Sequence, residues 1–112
     1  MIDKKQFYIN GEWVEPSQSN DFEIINPSNE KICAKISLGG KTDTDLAVKA
    51  AKDSFITWWN FPKDEKLKLL NNLLEIYISR SNEMAEAISM EMGAPIDWAT
   101  EQQSKSGEDH IR

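Results

Sequence analysis

The sequence predicts an α/β chain in which two β-hairpins lead into three to four α-helices. Three observations carry this prediction. Asn10-Gly11 stands between two short runs of strand-forming residues, Asn26-Pro27-Ser28-Asn29-Glu30 stands between two more, and from Thr42 onward apolar residues recur at helical spacing.

Phe7-Tyr8-Ile9 and Glu12-Trp13-Val14 flank Asn10-Gly11, the pair that best tolerates the positive φ angles of a two-residue hairpin turn. Pro16 to Asn20 is a polar connector. Phe22-Glu23-Ile24-Ile25 and Lys31 to Ile36 then read as a second pair of strands, so the hairpins span 7–36. Between them Pro27 keeps Asn26 extended, and the Ser and Asn side chains can bond nearby backbone groups, which specifies a turn.

Leu38-Gly39-Gly40 ends the strand pattern, and Thr42 followed by Asp43 and Asp45 offers a capping residue with acids where the helix dipole favours them. A helix is expected over about 42–59, with Ala47, Ala51, Phe55 and Trp58 on one face. Pro62 at the first helical position opens a second helix, 62–78, whose Leu67, Leu70, Leu73, Leu74, Tyr77 and Ile78 form a wide stripe expected to face a core. Ser79 to Asn82 offers a break and a new cap. A third helix, 82–92, ends at Gly93, which suits a left-handed cap, and Pro95 opens a fourth from 95 toward the end.

The 112 residues make one domain or part of one, since a domain takes roughly 100 to 200 residues. A content of 39% hydrophobic and 29% charged residues is ordinary for a soluble globular chain, and four Trp call for burial. The net charge of −6, without clusters of Lys and Arg, argues against a nucleic-acid partner. Cys33 is the single cysteine, so no internal disulfide forms, and a reducing cytoplasm is the expected location. Met1 to Gln6 leads straight into a strand pattern without an apolar signal core. No run approaches the roughly 18 apolar residues of a membrane span.

Little catalytic chemistry is legible. Cys33 lacks a nearby base and reads as a small packing residue, because the sole histidine, His110, lies at the far terminus. One His and one Cys do not make a transition-metal site. Gly11, Gly39, Gly40, Gly93 and Gly107 do not form a phosphate-binding spacing. Glu83, Glu86 and Glu91 read as a solvated helix face, and Trp58-Trp59 as packing or subunit contact. No catalytic and no cofactor-binding residue is assigned.

Five segments in order resemble the opening of the aldehyde dehydrogenase superfamily. Phe7 to Trp13 is similar to its first hairpin, Ile25 to Glu30 to its N-P-x-T-G-E turn, and Thr42 to Trp59 to its D-V-D-x-A-V-x-A-A-x-x-A-F helix. Leu67 to Leu74 resembles its R-x-x-x-L-x-x-x-A-x-x-L helix, and Glu91-Met92-Gly93-Ala94-Pro95 its E-x-G-K-P element. Asn29 stands for the usual turn Gly, Lys66 and Leu67 stand where Arg is common, and Ala94 replaces a frequent Lys.

The resemblance implies the N-terminal portion of an enzyme that oxidises an aldehyde to a carboxylic acid with NAD or NADP. Catalysis there runs through a cysteine thiohemiacetal and a glutamate base. It places the catalytic Cys and Glu and the dinucleotide contacts downstream, so the chain alone is expected to be inactive. The implied partners are the remainder of the dehydrogenase chain and further copies in a homodimer or homotetramer. It also implies a monovalent cation between main-chain oxygens of Ile24 and Ile25 and the carboxylate of Glu91, all hard oxygen ligands. The second reading is a non-catalytic α+β interaction or oligomerisation module.

Overall fold

The computed structural model describes residues 1–112. Five strands precede the helices: β1 Ile2–Lys4, β2 Phe7–Ile9, β3 Glu12–Val14, β4 Asp21–Asn26 and β5 Lys31–Ser37. Then follow α1 Lys41–Asn60, α2 Lys63–Ser79, α3 Ser81–Met92, α4 Ile96–Trp98, a π-helical segment Ala99–Ser104, and α5 Lys105–Ile111. The chain divides into two compact units. The first comprises Met1–Ile25 and Ile32–Asn60, the second Asn26–Lys31 and Phe61–Arg112.

In the first unit, β2 and β3 pair antiparallel with Tyr8 opposite Trp13 and Ile9 opposite Glu12. Asn10 at φ 55° and Gly11 at φ 83° take the two positive angles that a mirror-image turn requires. The second sheet has the order β1-β5-β4. Its β1 joins as a parallel edge, placing Ile2 opposite Ala34 and Lys4 opposite Ile36. This strand is new relative to the sequence pattern, because three exposed residues carry no alternation and each one's partner is thirty-two residues away. Lys5 beside the strand pairs with Asp21 at 2.7 Å.

The start of α1 differs from expectation. Gly40, not Thr42, is the N-cap: its carbonyl accepts the Thr44 N–H at 3.1 Å. Asp43, at the third helical position, reaches back to the Gly40 N–H at 2.9 Å, which is half of a capping box. The residue between α2 and α3 also departs from expectation. Arg80 alone separates the helices, and neither Ser81 nor Asn82 caps α3 through its side chain. Arg80 instead bonds both carboxylate oxygens of Glu83, the shortest contact being 2.8 Å. Pro62 is likewise the N-cap of α2 rather than its first residue, since its ψ of 139° is still extended.

Burial is sparse. The buried apolar side chains are Ala34, Ala85 and Ala99, and the buried polar residues are Ser37, Asp43 and Ser104. In the apolar stripe of α2 no side chain is fully buried: Leu67, Leu70, Leu73 and Ile78 are 43–50% exposed, and Leu74 and Tyr77 are half-buried. The four Trp are exposed as well, from 46% at Trp58 to 70% at Trp59. Apolar spacing marks which face must be covered; it does not say that this stretch of chain supplies the cover. No helix is long and apolar enough to cross a membrane.

Candidate functional site

The two segments most marked in the sequence meet in the second unit. Gly93 ends α3 in the left-handed conformation at φ 71°, and its N–H bonds the Ser89 carbonyl at 3.0 Å. A methyl group added at Gly93 would stand 2.8 Å from Cγ of Pro27 and 3.8 Å from Oγ of Ser28. The Asn-Pro turn therefore rests on the bare backbone of the Gly-Ala-Pro element. Both sides are fixed locally. The Asn26 side-chain oxygen accepts the Ser28 N–H at 2.8 Å, and the Ser89 hydroxyl donates to the Ala94 carbonyl at 2.8 Å.

The turn corrects one sequence assignment. Its left-handed residue is Glu30, at φ 58°, and not Asn29. Glu30 N–H closes the turn on the Asn26 carbonyl at 2.8 Å, while the Asn29 side chain accepts the Lys31 N–H at 3.0 Å. A residue with a Cβ costs about 1–2 kcal/mol in this conformation, and glycine carries an entropic cost of about 0.5–1 kcal/mol. Glu30→Gly is therefore expected to stabilise the chain by roughly 0.5 kcal/mol, read as a higher urea midpoint at unchanged slope.

A second cluster in the same unit holds the helical tail. The Tyr77 hydroxyl on α2 donates to the Ser104 carbonyl at 2.7 Å, and the Ser104 hydroxyl donates to the Ser81 carbonyl at 2.9 Å. Ala99 and Ser104 bracket the π-helical segment and are 0% and 1% exposed, against α3 with its buried Ala85. Gly107 gives the tyrosine room: a Cβ there would lie 2.3 Å from the Tyr77 oxygen. The sequence signal was a glycine inside a helical run, which is disfavoured unless something approaches closely.

In the first unit Asp43 ties the connector to α1. Its carboxylate accepts the Ser17 N–H at 2.8 Å as well as that of Gly40. These two donors, Ser17 first, hold its pKa below the ordinary carboxylate range. The depressed value means that the ionised form stabilises the fold. This contribution is complete above the unfolded value of about 3.9 and is lost as pH falls through the lower folded value. Acid unfolding of Asp43→Asn, followed by circular dichroism, should show a weaker loss below about pH 4 from a lower starting stability.

The expected cation ligands belong to two different units. Ile24 and Ile25 lie in β4 of the first unit, where the Ile24 carbonyl accepts the Cys33 thiol at 3.4 Å. Glu91 lies in the last turn of α3 in the second unit with its side chain exposed. No group of three or more His, Cys, Asp and Glu side chains is arranged to hold a metal ion. Cys33 is half-buried, and His110 bonds the Ser106 carbonyl through Nδ1 at 2.6 Å. The clusters position backbone and bring no nucleophile to a base.

These features define an α/β hairpin-and-helix element. The aldehyde dehydrogenase family model matches residues 13–112, and the chain belongs to that family. A 3-succinoylsemialdehyde-pyridine dehydrogenase from Pseudomonas sp. is 45% identical over 96 residues, covering 86% of this chain and 20% of that enzyme. The crystal structure of an aldehyde dehydrogenase from Bartonella henselae superposes with a TM-score of 0.97 at 50% identity. That match covers 100% of this chain and 24% of the other. An aldehyde dehydrogenase mutant from Pseudomonas syringae, crystallised with NAD+ and octanal, gives 0.94 at 33% identity over 96% and 22% of the two chains. The chain thus spans a fifth to a quarter of the length of these relatives.

Proposed function

We propose that this chain is the N-terminal segment of a cytoplasmic, NAD(P)-dependent aldehyde dehydrogenase that works as a homodimer or homotetramer. Its role is to lay two hairpins and apolar helix faces onto the remainder of that enzyme. The catalytic cysteine, the glutamate base and the dinucleotide contacts belong to that remainder, and this segment alone turns over no aldehyde.

One observation carries the reading: the buried apolar side chains are three alanines, while Leu67, Leu70, Leu73 and Ile78 of the α2 stripe lie exposed. Large apolar side chains left exposed along one helix face mark a surface made to be covered. The Pseudomonas syringae relative, bound to NAD+ and an aldehyde, supports the reaction class.

The test is a chimera in which this chain replaces the matching segment of the Bartonella henselae dehydrogenase. NADH or NADPH formation with an aldehyde is expected from the chimera and not from the 112-residue chain alone. A chimera that folds by circular dichroism, binds the dinucleotide and leaves aldehyde unoxidised overturns the proposal.

A further inference from the structure

The β2–β3 turn combines sequence, backbone and exposure in a way that bears on covalent change. Of eight asparagines, Asn10 alone precedes a glycine. Both residues of the pair are exposed, and open space surrounds Gly11 where a Cβ would project. The Asn10 amide is held by no side-chain hydrogen bond, unlike Asn26, Asn29 and Asn60, whose amides bond backbone groups. The ladder closes at Ile9 and Glu12, which leaves the Gly11 nitrogen in the two-residue turn rather than in the sheet.

We propose that Asn10-Gly11 is a site of spontaneous deamidation in the folded chain, a modification that converts the hairpin turn and adds one negative charge. The Gly11 nitrogen gives its proton to hydroxide and attacks Cγ of Asn10. The new N–C bond closes a five-membered succinimide as the Cγ–Nδ2 bond breaks, and the side-chain nitrogen leaves as ammonia after taking a proton from water. Water then opens the ring at one of its two carbonyls, giving aspartate or isoaspartate. No oxidant or reductant is involved. Glycine matters because its missing side chain lets the nitrogen approach Cγ. Pro27 supplies no N–H, so the half-buried Asn26 is barred from this route.

The product alters structure as well as charge. Isoaspartate inserts an additional backbone carbon into a turn whose length sets the pairing of Tyr8 with Trp13, now 5.2 Å apart between ring centres. The hairpin then loses its register.

The 112-residue chain is incubated at mildly alkaline pH and mapped by peptide mass spectrometry with an isoaspartate-specific methyltransferase. Conversion is expected at Asn10 before any other asparagine changes detectably, at a rate rising with hydroxide concentration, and Asn10→Gln should abolish it. Rates are repeated at sub-denaturing urea under circular dichroism. A rate independent of urea supports reaction in the folded turn. A rate that tracks the unfolded fraction, or an Asn10 no faster than the other asparagines, overturns the proposal.

Discussion

Replacing Gly93 with alanine lowers the stability of the second unit by about 3 kcal/mol, a sum of two separable costs. The first is conformational. At φ 71° an added Cβ strains the backbone by about 1–2 kcal/mol. The second is steric: the new methyl would lie 2.8 Å from Cγ of Pro27, closer than side-chain carbons pack, and overpacking of this kind costs about 1–3 kcal/mol. A double-mutant cycle separates them. Pro27→Ala removes the ring atom that is struck, so Gly93→Ala in that background should retain only the conformational share. Urea unfolding of the four variants gives the coupling directly. Equal losses from Gly93→Ala in both backgrounds would show that the turn does not rest on Gly93.

That contact also shows where sequence reasoning ends. The left-handed cap at Gly93 was legible because glycine between a helical run and Ala94-Pro95 has a local cause. Its seat on Pro27 was not, because nothing in either segment names the other across some sixty-six residues. The same division holds elsewhere. Asn10-Gly11 dictates its own turn, whereas β1 takes its strand character from a parallel partner in β5. The left-handed residue of the second turn is Glu30, whose N–H closes the turn on the Asn26 carbonyl, a position that a pattern of turn-forming residues does not single out. The stripe on α2 was legible as an apolar face while its cover was not, since periodicity records a face and not its partner. A chain covering a quarter or less of its relatives' length is where that distinction matters most.

The helical tail supplies a sharper contrast, because the expected effect reverses the usual sign. Glycine to alanine within an exposed helix is stabilising by about 1 kcal/mol, through backbone entropy. At Gly107 the same change is expected to destabilise by roughly 2 kcal/mol. The added Cβ would lie 2.3 Å from the Tyr77 oxygen and 2.7 Å from its Cζ, so the ring must retreat. Its hydrogen bond to the Ser104 carbonyl is then broken in a region where Ser104 is 1% exposed. Overpacking at about 1–3 kcal/mol and the lost bond at about 1 kcal/mol exceed the gain in helix propensity. Tyr77→Phe, which removes only the hydroxyl, should cost about 1 kcal/mol and leave the Cζ overlap unrelieved. Tyr77→Leu removes both Cζ and the oxygen. In that background Gly107→Ala should recover its ordinary sign and become stabilising in urea unfolding. A loss that persists with leucine at position 77 would mean that the backbone around Ala99–Ser104, rather than the tyrosine wedge, demands the glycine.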